Sequence, residues 1–235
     1  MTAKPAGTAS GRPSSVGAAC SRPRKLLTKA RAAEVIDRLA RCYPDARCAL
    51  DHGSVFELLV SVVLSAQTTD VSVNKVTPAL FAAWPDAAAL AGADPAAVQE
   101  VIRTIGMYRQ KASNIVRLSQ KLLEDFGGEV PQDFDLLQTL PGVGRKSANV
   151  VLSVGFGEER LAVDTHVFRV ANRIGLCDEP TPEKTELALV KRLPEGRLSE
   201  SHHYLIWHGR RVCHARKPAC DACVLPDLCR SFGRL

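Results

Sequence analysis

Four cysteines fall within one 17-residue stretch, spaced Cys213-x6-Cys220-x2-Cys223-x5-Cys229. Thiolates are strong ligands for zinc and for iron. Zinc sites usually show two short Cys pairs, and this run has one, Cys220-x2-Cys223. Four neighbouring thiolates also suit a [4Fe–4S] cluster, although the spacing differs from ferredoxin patterns. Spacing alone leaves both metals open.

A second segment reads Leu140-Pro141-Gly142-Val143-Gly144-Arg145-Lys146. Glycines at 142 and 144 let the backbone turn sharply and approach another molecule. A helix starting there would aim free amides and its positive dipole end outward, which is a seat for a phosphate. Two helices joined by this loop form a helix-hairpin-helix. Lys146 lies in the first helical turn, beside Arg145, where a further positive charge is disfavoured. It is a candidate nucleophile; the plainer alternative is a lysine that contacts phosphate. A third segment, Val163-Asp164-Thr165-His166, supplies a carboxylate. At a helix start Asp164 can be only a cap. A lyase would also use it to take a proton from the amine or to balance a cationic sugar.

The rest of the chain must position these groups. Its 235 residues suffice for one large domain or two sharing a core. Hydrophobic residues are 46% and charged residues 24%, an ordinary globular composition. No apolar run reaches membrane-spanning length, and the basic N-terminus has no apolar segment after it, so no secretory signal is read. A cytoplasmic, nucleoid-associated bacterial protein is expected. Eight cysteines in that setting are not disulfides; Cys42, Cys48 and Cys177 read as buried or idle thiols, and Cys20, in the tail, as an exposed free thiol. Five of the six net positive charges lie in residues 1–25 (Lys4, Arg12, Arg22, Arg24, Lys25). A nucleic-acid site in the remainder must therefore come from local clustering, and the best cluster is Arg210, Arg211, His214, Arg216 and Lys217.

Residues 1–27 read as a disordered basic tail. From 28 onward the pattern is helical throughout. Thr28 caps a segment ending near Tyr43-Pro44, Ser54 caps 55–64, and Asp70 caps 71–83. A long helix runs from about 108 to 126 and stops at Gly127-Gly128. Further helices are expected from Asp133, over 144–154 and 165–174, from Thr181-Pro182, and over 199–212. Phe56–Leu64 has enough β-branched content for a buried strand, but no partner strand is evident, so a buried helix is preferred.

With these residues in place, the chain resembles the endonuclease III family of the helix-hairpin-helix DNA glycosylase superfamily. The resemblance runs over about 28–231 and is carried by Leu64–Asp70, Thr104–Tyr108, Leu140–Asn149, Val163–Arg169 and the cysteine loop. It implies an all-α, two-domain fold: a six-helix barrel over 50–160, and a discontinuous cluster domain over 28–49 and 161–235. It implies a bifunctional glycosylase and abasic-site lyase acting, as a monomer, on double-stranded DNA with oxidised pyrimidines or abasic sites. Lys146 becomes the Schiff-base nucleophile and Asp164 the essential carboxylate. Cys213, Cys220, Cys223 and Cys229 become ligands of a [4Fe–4S] cluster. Gln67 and Met107 would fill the gap left by the flipped nucleotide. Gly142, Gly144, Arg145, His166, Arg216 and Lys217 would contact DNA. The rival readings are a monofunctional adenine or mismatch glycosylase, a non-catalytic iron–sulfur DNA-binding protein, and a zinc-stapled version of the same enzyme. The adenine enzymes carry a catalytic glutamate where this chain has Val62.

Overall fold

The structure is a computed structural model that describes residues 25–234. Eleven α-helices follow one another, and no strand occurs among the described residues. They are α1 (Lys29–Cys42), α2 (Val55–Leu64), α3 (Asp70–Ala83), α4 (Ala87–Ala91), α5 (Pro95–Ile102), α6 (Tyr108–Phe126), α7 (Phe134–Gln138), α8 (Arg145–Val150), α9 (Thr165–Ile174), α10 (Pro182–Arg192) and α11 (Leu198–Arg211).

Short polar side chains start most of them. Thr28, Ser54, Thr69, Asp86, Asp94, Asp133, Asp164 and Thr181 each accept a hydrogen bond from a backbone N–H of the first turn. Such caps satisfy amides that a helix cannot satisfy itself. The exceptions are α6, which begins at Met107, α8, which begins at Gly144, and α11. Two of these three uncapped starts lie at residues singled out above.

The buried apolar residues form two clusters. One spans Leu50 to Ala162 and is built from α2 to α8, with α6 packed against α4 and α5. Val55–Leu64 is indeed a helix, buried along nearly its whole length. The other joins Leu27–Tyr43 to Leu161–Leu228, with α11 lying against both α1 and α9. No helix among the described residues is long and apolar enough to cross a membrane.

Three local expectations need correction. Thr69, not Asp70, caps α3; Asp70 is its first residue, because the Thr69 hydroxyl reaches the Ser72 amide. The helix expected over 144–154 is α8 followed by a π-helical turn over Val151–Gly155. Gly155 sits there because a Cβ would come within 3.0 Å of Val55 and 3.2 Å of Leu58. Leu27, assigned to the tail, is buried, and its N–H donates to the Gly175 carbonyl. Residues 1–24 of the tail, including Cys20, lie outside the described residues.

Candidate active site and cysteine pocket

α7, the loop 139–144 and α8 form the expected hairpin. Gly142 has φ +84°, and a Cβ there would approach Val63 to 3.0 Å and Asn114 to 3.2 Å. Glycine alone fits this turn without displacing its neighbours. Gly144 is different: its backbone is extended and it faces open space, which leaves the first amides of α8 uncovered.

Lys146, one residue into α8, is exposed. It lines a narrow pocket of about 70 Å³ with Asp164, Asp70, Arg210, His202 and His203. Lys146 comes from the first core and Asp164 from the start of α9 in the second. Asp164 is a cap that also lines the pocket: its Oδ1 accepts from the His166 and Val167 amides, both at 2.8 Å. The cap thus fixes the carboxylate's orientation through one oxygen.

Sequence reasoning missed the pairing of Asp70 with Arg210 and the two histidines beside them. Asp70 and Arg210 form an ion pair at 2.7 Å across the groove between the cores. His202 is buried, and its Nδ1 lies 2.7 Å from the Ala162 carbonyl. A carbonyl only accepts, so Nδ1 carries the proton and Nε2 is left as an acceptor. Burial pushes His202 down to about 3 and His203 down to about 4, so both imidazoles are neutral. The His202-His203 pair falls on α11 with no local motif to mark it.

Arg145, expected to contact DNA, has a partner within the protein. Its Nε and Nη2 donate to both Glu186 oxygens at 2.9 and 2.7 Å, and the guanidinium lies over the Phe134 ring. Glu186 lies in α10 of the second core, 41 residues away, so no local pattern announced the pair. The basic cluster is also thinner than expected. Arg210 is bound to Asp70, and Arg211 is stacked on Trp207 at 4.1 Å.

Arg216 and Lys217 remain exposed, on a loop held from behind. Arg173 donates to the His214 and Ala215 carbonyls at 2.6 and 2.9 Å, and Arg169 donates to the Cys213 carbonyl at 3.1 Å. These α9 arginines were not foreseen. His166 packs its Cβ against Gly209, where any side chain would come within 2.9 Å. With Gln67, Asp70 and Arg210 it lines an adjoining pocket of about 520 Å³. Gln67 and Met107 are exposed, and both have left-handed backbones, φ +53° and +56°.

Cys213, Cys220, Cys223 and Cys229 line one small apolar pocket with Ile174, His208, Pro218 and Phe232. Among the described residues no group of three or more His, Cys, Asp or Glu is placed to hold a metal ion. His208 Nε2 lies 3.6 Å from Cys223 Sγ, and an Arg173 N–H lies 3.7 Å from Cys213 Sγ. Burial pushes the Cys223 thiol up to about 11 and the Cys229 thiol up as well. A bound cationic centre would have to displace those protons.

Known proteins match this arrangement. The family model for HhH-GPD superfamily base excision DNA repair proteins matches residues 60–195. Endonuclease III of Synechocystis is 47% identical, over 88% of this chain and 96% of its own length. A trapped endonuclease III–DNA covalent intermediate superposes with a TM-score of 0.84 at 45% identity, covering 88% of this chain and 98% of that one. A thermostable thymine-DNA glycosylase, 23% identical with a TM-score of 0.78, shares the fold. The chain therefore belongs to the HhH-GPD superfamily of base excision DNA repair proteins and, within it, to the endonuclease III family.

Proposed function

We propose that the groove between the two cores excises oxidised pyrimidines from duplex DNA, with Lys146 as nucleophile and Asp164 as its charged partner. Family membership makes the chain a DNA glycosylase and abasic-site lyase of base excision repair. The observation that carries the finer reading is that Lys146 and Asp164, supplied by different cores, line one pocket. A nucleotide must leave the duplex stack to reach it.

In this reading the neutral Lys146 amine attacks C1′ of the flipped nucleotide and the base leaves with the bonding pair. Nζ then loses a proton as the ring opens to the imine. The imine acidifies the C2′ proton, whose loss expels the 3′ phosphate and cuts the strand. Asp164 balances the positive charge that develops at the sugar and imine. The neutral His202 imidazole adds an acceptor to the pocket wall. The amides at the Gly144 start of α8 hold a backbone phosphate, and Arg216 and Lys217 hold others. His166 lies behind the Asp70–Arg210 pair, facing the adjoining pocket. Gln67 and Met107 fill the vacated stack.

The four cysteines fit a [4Fe–4S] cluster: four thiols, and nothing else of ligand type but His208, ring a single apolar space. When bound, such a cluster would staple the loop that carries Arg216 and Lys217. The domain division follows the cores, 50–160 for the barrel and 28–49 with 161–235 for the cluster domain.

The test is borohydride trapping on a duplex with one thymine glycol, comparing the native chain with Lys146→Gln. A covalent band that vanishes in the variant supports imine chemistry and base excision together. A band that persists in the variant removes Lys146 from its role. Absence of the band on thymine glycol, with trapping on a plain abasic site, would refute the oxidised-pyrimidine substrate.

A further inference from the structure

Gln67 and Met107 sit in adjoining loops, and each holds a left-handed backbone conformation although neither is glycine. Such strain persists only where the surroundings over-determine it, and it concentrates at functional sites. The two loops meet at one residue, Lys111.

Lys111 lies in the first turn of α6, and its N–H donates to the Met107 carbonyl at 3.0 Å. Its side chain runs inward and is 3% exposed. Nζ donates to Thr68 Oγ1 at 2.6 Å. The Thr68 hydroxyl donates in turn to the Ala66 carbonyl at 3.4 Å, and the Thr68 N–H donates to the Ser65 carbonyl at 3.0 Å. These bonds close the turn in which Gln67 is left-handed. On the other side Gly106 packs against Thr68, since a Cβ there would lie 4.0 Å from the same hydroxyl. One residue thus joins the two loops: its backbone N–H makes the first helical bond to Met107, and its amine holds Thr68 beside Gln67.

An amine is a costly way to fill this space. It loses hydration and lies near the positive end of the α6 dipole. Burial pushes it down from its ordinary value. A methionine would occupy a similar volume without that cost, so packing does not explain the lysine. Lys111 is also absent from the walls of the pocket that holds Lys146.

We infer that Lys111 is a positioning residue for lesion engagement: through Thr68 it sets Gln67 and Met107 at a fixed spacing, so that both enter the duplex as one unit. This rests on the reading of Gln67 and Met107 as the gap-filling residues. It separates opening of the duplex from the imine chemistry at Lys146.

The experiment measures single-turnover excision of thymine glycol by the full chain on two substrates. One is a paired duplex; the other sets the same lesion in a short unpaired bubble, where little unstacking remains to be done. Lys111→Met and Thr68→Val should each slow the duplex reaction about tenfold or more and the bubble reaction less than about twofold. Thr68→Ser, which keeps the hydroxyl, should restore the duplex rate. The double variant should be no worse than either single one, because both remove one link. Equal losses on both substrates, no loss, or additive losses would overturn the inference. If Lys111→Met lowers the melting temperature sharply, Thr68→Val, which keeps the lysine, decides. Gln67→Ala and Met107→Ala serve as references. If both lack the duplex-specific loss, the gap-filling reading fails and the inference falls with it. If they show the loss and the Lys111 and Thr68 variants do not, the inference alone fails.

Discussion

The two cores are built differently. The first is contiguous, from Leu50 to Ala162, and closes by packing helices that are near neighbours in the chain. The second needs α1 to meet segments more than 110 residues away, and it draws on long-range polar ties. Arg38 bonds Asp227 at 2.6 Å, Arg230 bonds Asp178 at 2.6 Å, and Arg173 holds the His214 and Ala215 carbonyls. The chemistry is divided in the same way. The first core presents Lys146, Gln67 and Met107; the second presents Asp164, the cysteines and the basic loop. A working site therefore requires docking as well as folding, and the docking is polar: Arg145 to Glu186, Asp70 to Arg210, and Ser153 to Ser199.

The largest expected effect removes the second core's contribution to chemistry without touching its fold. Asparagine caps a helix nearly as well as aspartate, so Asp164→Asn should leave the melting temperature close to native. Single-turnover excision should fall about 100-fold or more, for loss of the charge alone. A near-native rate would reduce Asp164 to a cap.

Next comes Cys223→Ser. If the cluster staples only the second core, this variant should lose the brown absorbance. Unfolding of the C-terminal segment should then precede that of the first core, by about 10 °C if about 3 kcal/mol is lost. Iron and sulfide analysis of the native chain checks the same point, and an unchanged spectrum in the variant would refute the ligand assignment.

Glu186→Gln probes the docking itself. Its carboxylate is only 12% exposed and bonds both Arg145 nitrogens. Losing that charge should cost about 1–2 kcal/mol, read as a modestly lower melting temperature, and should slow excision by loosening the approach of Lys146 to Asp164. Independent cores would show no rate change.

The smallest effect is at Asp227. Arg38 holds this carboxylate below the usual Asp range. A depressed folded value means that the tie contributes fully above the ordinary range and fades as pH falls through the depressed one. The melting-temperature difference between the native chain and Asp227→Asn should be small at neutral pH and should vanish once the pH falls below that depressed value. The pair is largely exposed, which limits its worth.

Helix boundaries were legible because caps are local. Thr28, Ser54, Asp133, Asp164 and Thr181 each act within three residues of themselves. The π-helical turn at 151–155 was not legible, since it follows from how Gly155 meets Val55 and Leu58 across the core. The partners of the basic residues were not legible for the same kind of reason. Arg145 and Arg210 look free in the sequence, but acidic partners 41 and 140 residues away engage them.

By itself the sequence determined the all-helical pattern, the hairpin with its lysine, the carboxylate at a helix start, and four thiols close enough along the chain to share one space. Each depends on interactions spanning a few residues, or on a motif read whole. Only the tertiary structure decided which charges remain open to a ligand, that Lys146 and Asp164 face one pocket, and that Lys111 joins the Gln67 and Met107 loops. Those outcomes depend on the docking of surfaces far apart in the chain, where burial and pairing are set by whatever the fold brings opposite.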